Sequence, residues 1–185
     1  MAIYISLLRG INVSGKNKIP MAVLREHLAT LGWTQFKTYI QSGNIILEKE
    51  DGEASQISEE VSQVIKENFG YDVPCLTLSL EEWEDVLKGN PYWPQKEEEL
   101  KFLYTTFMDK EPPSEVLGAL ANPQPNGDEF FTVGKLLFFY LPGGRGNTKF
   151  SNNFFEKKLK VMATTRNWKT VRKLAEMARE MAGAK

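Results

Sequence analysis

Over its first 79 residues the chain changes apolar spacing four times, and few folds accept that order of changes. Residues 2–8 alternate and are rich in β-formers, so they read as a strand. Pro20 suits a first helical turn; Leu24, Leu28 and Leu31 then form an apolar stripe that Gly32 ends. Residues 36–41 and 45–48 read as strands joined by the tight turn Ser42-Gly43-Asn44, whose residues tolerate positive φ. A helix over 55–69 turns Ile57, Val61, Val64 and Ile65 inward and stops at Gly70, and 73–79 is a fourth strand. The order is β-α-β-β-α-β, the split βαβ or ferredoxin-like unit.

The second half follows the same outline. Ser79 and Glu82 form a capping box for a short helix that buries Trp83 and Leu87. An acidic, proline-containing linker over 89–99 follows. Then come a strand at 101–108, a helix at 113–120, a hairpin of 128–133 with 135–141 around Gly134, a helix at 154–159 and a terminal helix at 167–181. The expected fold class is α+β, with two ferredoxin-like halves of β-α-β-β-α-β type and a C-terminal helix. The halves are placed at 1–88 and 100–185. With 42% hydrophobic residues and eleven Phe, six Tyr and four Trp, each half has material for a core.

What is missing narrows the chemistry. Cys75 is the single cysteine, which excludes an internal disulfide, and it reads as a small buried hydrophobe in a strand. His27 is the single histidine and sits within a helix. One Cys and one His give no zinc site, and the acidic runs read as solvated faces, so no metal and no cofactor are expected. Nucleophile elbow, P-loop and dinucleotide fingerprints are absent. No apolar run approaches the roughly 20 residues that cross a bilayer, and the first residues do not read as a signal peptide. The expectation is a cytoplasmic monomer without membrane association.

The net charge of -1 conceals an uneven distribution. Residues 1–49 carry six Lys/Arg against two Asp/Glu, residues 50–100 three against fourteen, and residues 143–185 eleven against three. Two basic ends brought together by folding would attract an anion.

Three loops carry the polar groups for that role. Arg9-Gly10-Ile11-Asn12-Val13-Ser14-Gly15-Lys16-Asn17-Lys18 leads from a strand into a helix. Its glycines admit a ligand to the backbone, while Arg9, Lys16 and Lys18 supply charge. Equally, such a turn needs glycine for its dihedrals alone. Tyr39-Ile40-Gln41-Ser42-Gly43-Asn44 sets Ser42 and Asn44 at a hairpin tip, where good turn chemistry explains them as well. In Ala163-Thr164-Thr165-Arg166-Asn167-Trp168, capping accounts for Thr165 or Asn167 but not for Arg166, a cation where a helix dipole disfavours one. The loop Gly143-Gly144-Arg145-Gly146-Asn147-Thr148-Lys149 is a further Gly-rich basic turn.

At these loops the sequence resembles a bacterial family, domain of unknown function 1697. The resemblance rests on Leu7-Leu8-Arg9-Gly10-Ile11-Asn12-Val13, Gly15-Lys16-Asn17, Thr38-Tyr39-Ile40-Gln41-Ser42-Gly43-Asn44 and Ala163-Thr164-Thr165-Arg166-Asn167-Trp168 with Thr170-Val171. It departs at Ser14, where the family often has Gly, and at Lys169, where it often has Asn. The resemblance implies an α+β fold of ferredoxin-like halves and no established activity.

The residues themselves suggest a module for a small anionic ligand, a nucleotide or other phosphate. Arg9, Lys16, Lys18 and Arg166 would neutralise it, Asn12, Asn44 and Asn167 orient it, and Tyr39 or Trp168 stack on a base. One alternative is RNA or single-stranded nucleic-acid binding on a ferredoxin-like sheet. Another is an enzyme acting on a phosphorylated or carboxylate substrate through Arg166 with Tyr39, Ser42 or Asn44, although no general base is evident. A last alternative is a structural protein in which these side chains hold loops together.

Overall fold

A computed structural model describes residues 1–33, 35–50, 52–93, 97–120 and 122–183. Part of the expected linker, residues 94–96, lies outside the described residues. By compactness the chain divides into two units. The first is Met1–Glu84 together with the chain from Lys173 on, and the second is Asp85–Arg172.

The first unit contains β1 (Ala2–Leu8), α1 (Met21–Leu28), β2 (Gln35–Tyr39), β3 (Asn44–Lys49), α2 (Ala54–Phe69) and β4 (Cys75–Ser79). Its strands lie in the order β2-β3-β1-β4, every neighbouring pair antiparallel, which is the ferredoxin-like arrangement. Alternation along the central strands explains the core. Tyr4, Leu8, Ile45 and Leu47 join Leu24 and Leu28 of α1 and Ile57, Val61 and Ile65 of α2. Ile3, Ile5, Leu7 and Ile46 fill the opposite face and are also buried. A short 3₁₀ turn extends α1 to Leu31, and Gly32 (φ 70°) and Gly70 (φ 73°) end the two helical segments in the left-handed conformation.

α3 (Leu80–Gly89) crosses from the first unit to the second. Its capping box forms as expected: the Ser79 N–H donates to Glu82 Oε2 (2.8 Å) and the Glu82 N–H to Ser79 Oγ (3.2 Å).

The second unit then contains β5 (Leu103–Met108), α4 (Ser114–Gly118), β6 (Glu129–Val133), β7 (Leu136–Tyr140), α5 (Asn152–Leu159) and β8 (Ala163–Asn167). The order β6-β7-β5-β8, again antiparallel throughout, repeats the first sheet. Met108, Phe130, Leu137, Phe139 and Ala163 pack with Phe150, Phe155 and Leu159. Ser151 caps α5 by accepting from the Phe154 N–H (3.1 Å).

β8 corrects the sequence reading, which took Ala163-Thr164-Thr165-Arg166 as a loop. The two β-branched threonines suit a strand, and all five residues pair with β5, from Tyr104↔Asn167 to Met108↔Ala163. β8 completes the second β-α-β-β-α-β set. α6 (Trp168–Gly183) follows directly; its residues from Lys173 on group with the first unit, where Arg179 grips Glu84 through two bonds of 2.6 Å. Among the described residues no helix is long and apolar enough to cross a membrane.

Candidate functional site

In the first unit the connection from β1 to α1 is built as a locked platform. The Leu8 and Arg9 N–H groups donate to the Gly43 and Pro74 carbonyls (2.8 and 2.9 Å), tying the end of β1 to both neighbours. Of the eight residues 10–17, five have positive φ: Gly10, Asn12, Ser14, Gly15 and Asn17. Lys16 N–H donates to the Val13 carbonyl (3.0 Å), closing a turn whose central residues Ser14 and Gly15 both have the positive φ of type I′.

Side chains hold this shape. Asn12 donates through Nδ2 to the carbonyls of Ile19 (3.0 Å) and Gln41 (2.9 Å), and its Oδ1 accepts the Ile19 N–H (2.9 Å). Asn17 Nδ2 donates to the Gly10 carbonyl (3.1 Å). Ile11 and Ile19 are buried beneath, while Lys16 and Lys18 are exposed and Arg9 is half-buried.

The β2–β3 turn fits against this loop. Gly43 has φ 77°, and a Cβ there would lie 2.7 Å from both Ile11 Cδ1 and Leu8 Cβ, so only glycine allows the approach. Asn44 is fully buried; its Nδ2 donates to the Tyr39 carbonyl (2.9 Å) and Ser42 Oγ (3.2 Å). Tyr39 and Ser42 are half-buried. Arg9, Asn12, Lys16, Lys18, Tyr39, Ser42 and Asn44 thus all belong to one end of the first sheet. Within that group Asn12 and Asn44 direct their amides at the backbone, as a turn-forming role requires.

Arg166, Asn167 and Trp168 belong to the second unit. Arg166 lies within β8, 6% exposed, with Nη1 donating to Thr164 Oγ1 (2.9 Å) and the Thr165 carbonyl (3.0 Å). Its puzzling position at a helix entrance disappears, because it is a strand residue paired with Thr105. Asn167 caps α6, accepting the Lys169 N–H (2.9 Å), and donates to the Lys101 carbonyl (3.2 Å). Trp168 is 0% exposed, with its ring edge-on to Phe138 at 6.3 Å. No face remains to stack on a base, which removes Trp168 from that role.

A residue that sequence reasoning left in a basic turn emerges here. Arg145 is half-buried. It donates to the Phe150 carbonyl and to Thr165 Oγ1 (3.3 Å), and its guanidinium carbon lies 6.0 Å from the centre of the Tyr104 ring. These partners are all neutral, and burial lowers its pKa. Only its Gly-rich context hinted at this.

At this same end of the second sheet, where β7 ends, Tyr140 donates to Glu99, and this bond pushes the phenol up to about 12. Burial, with the Glu129 charge adding to it, also raises the pKa of nearby Tyr92. Among the described residues no group of His, Cys, Asp and Glu forms a metal cluster.

No curated protein matches the chain. Among solved structures it is similar to the conserved bacterial protein SP0830 from Streptococcus pneumoniae, at 30% identity and a TM-score of 0.68, over 96% of this chain and 98% of that one. Residues 1–138 match the family described as Protein of unknown function (DUF1697), and with that match over most of its length the chain belongs to this family.

Proposed function

We propose that the platform of residues 9–18 binds a small anionic ligand, a nucleotide or another phosphate. One observation carries this reading: Lys16 and Lys18 stand exposed on a loop whose backbone is fixed by Asn12 and Asn17. A flexible loop would lose ordering entropy on binding, whereas this one holds its shape beforehand. The start of α1 supports the reading. No side chain caps it, its first turn holds no acid, and Lys18 precedes it by three residues. Among the basic positions on this end of the sheet, Arg9 is the planar donor suited to two phosphate oxygens.

The test is thermal unfolding of the full chain at constant ionic strength with inorganic phosphate, pyrophosphate and nucleoside triphosphates. At a hundredfold excess over Kd a bound ligand stabilises by about 2.7 kcal/mol. A rise in Tm that disappears in the Lys16→Ala/Lys18→Ala double variant supports the reading. No rise in the native chain, or the same rise in the variant, overturns it.

A further inference from the structure

We propose that the end of the first unit bearing residues 9–18 docks on the surface of an anionic lipid bilayer, with Val13 and Ile40 entering the interface and the lysines beside them meeting headgroup phosphates. The proposal rests on the reading of Lys16 and Lys18 as anion-binding groups, and it names the source of the anion.

Two aliphatic side chains carry it. Among the described residues six large apolar side chains are exposed, and Val13 (57%) and Ile40 (49%) stand on adjacent loops of this end. The Gln41 carbonyl, one residue beyond Ile40, accepts from Nδ2 of Asn12, one residue before Val13 (2.9 Å), so the two tips lie side by side. Ile40 also has φ 50°. A β-branched side chain resists that conformation, which asparagine or glycine adopts readily. The free chain thus holds a strained, half-exposed isoleucine at a turn that needs none. A partner that takes its side chain out of water offsets both costs.

Positive charge surrounds the pair. From Arg9 to Arg25 the chain has four cations, Arg9, Lys16, Lys18 and Arg25, and no acid, and residues 35–47 have Lys37 and no acid. Lys16, Lys18, Arg25 and Lys37 are exposed. The Lys16 N–H donates to the Val13 carbonyl (3.0 Å), which keeps a cation in the same turn as an apolar tip. On the β4 side Asp72 is paired with Lys66 (3.0 Å).

Apolar tips among lysines match the boundary between acyl chains and anionic headgroups, which takes both at once. Other occupants fit less of this surface. A soluble phosphate leaves Val13 and Ile40 in water. Neither tip offers a nucleic acid a ring to stack on. A second copy related by a twofold axis sets lysines against lysines. The expectation of no membrane association rested on the lack of a spanning run and of a signal peptide, and a surface contact needs neither.

The test is co-sedimentation of the full chain with vesicles of phosphatidylcholine containing phosphatidylserine as a quarter of the lipid, beside vesicles of phosphatidylcholine alone. Binding should require the anionic lipid and weaken with added salt. Lys16→Ala/Lys18→Ala should weaken it about 25-fold, at about fivefold per lysine. Ile40→Asn should weaken it by about tenfold or more. Its Tm in buffer should equal or exceed the native value, and its phosphate-dependent rise in Tm should persist. Val13→Ser should act on vesicle binding in the same direction. Equal binding to both vesicle types, or unchanged vesicle binding in Ile40→Asn, overturns the proposal, as does binding to polyglutamate or polyuridylate that matches the vesicles. A native chain that ignores vesicles yet gains Tm with phosphate leaves the small-ligand reading standing and removes this one; no response to either removes both.

Discussion

The two units share a topology and differ in where they place polarity. Aligned on their registers, Ile5, Leu7, Ile46, Leu76 and Leu78 of the first unit correspond to Thr105, Phe107, Phe138, Thr164 and Arg166 of the second. One sheet face is aliphatic and the other mixes threonine, aromatic rings and a buried arginine. The connections differ as well. The first unit has twelve residues between β1 and α1 and four between β3 and α2; the second has five and eleven at the matching places. Its Gly-rich basic loop thus leaves the end of the sheet opposite to the one the first unit elaborates. A duplicated scaffold tolerates this because the strand pairs and helix faces carry the fold, while connection length costs little.

The largest expected effect contrasts the residues that open α6 and α3. Trp168→Ala empties a fully buried ring site and should cost about 3–5 kcal/mol. Leu80→Ala, at the matching half-buried position, should cost about 1–2 kcal/mol. Equal losses in denaturant unfolding would break the comparison. The hairpin turns come next. Gly43→Ala meets both a left-handed φ and contacts of 2.7 Å, a combined loss of about 3 kcal/mol. Gly134→Ala, at φ 51° with open space around it, should lose about 1 kcal/mol. Arg145→Ala should fall near the second value, about 1–2 kcal/mol, through its hydrogen bonds and its stem.

These contrasts also mark what the sequence made legible. The helices of the first unit end at glycines and bury the leucine and isoleucine stripes that periodicity indicates. The polar strand β8 was illegible because Ala-Thr-Thr-Arg-Asn has no alternation of its own; pairing with β5 makes it a strand. Asn12 and Asn44 show the other limit. A carboxamide suits a ligand and a turn carbonyl equally, and only distances of 2.9–3.0 Å to named backbone atoms reveal its use. Arg166 drew notice as a cation at a helix entrance, and that reasoning failed at its premise, since the residue lies in a strand.

The smallest effect is confined to alkaline pH and to the second unit. Tyr140 corresponds in register to Glu48 of the first unit, so only one unit carries a phenol there. Its hydrogen bond to Glu99 raises the folded pKa from 10.0 to about 12. Below the unfolded value both states keep the proton, and the stabilisation is fully present. Between 10.0 and about 12 the unfolded chain releases the proton and the folded chain retains it, so stability falls as pH rises. Solvent screening keeps the loss small, because the pair is not deeply buried. Urea midpoints measured across this window should decline less steeply in Tyr140→Phe than in the native chain. Glu99→Gln removes the carboxylate that holds the proton, so tyrosinate absorbance should develop at lower pH in that variant. Unchanged titration in Glu99→Gln would show that the bond does not control the phenol.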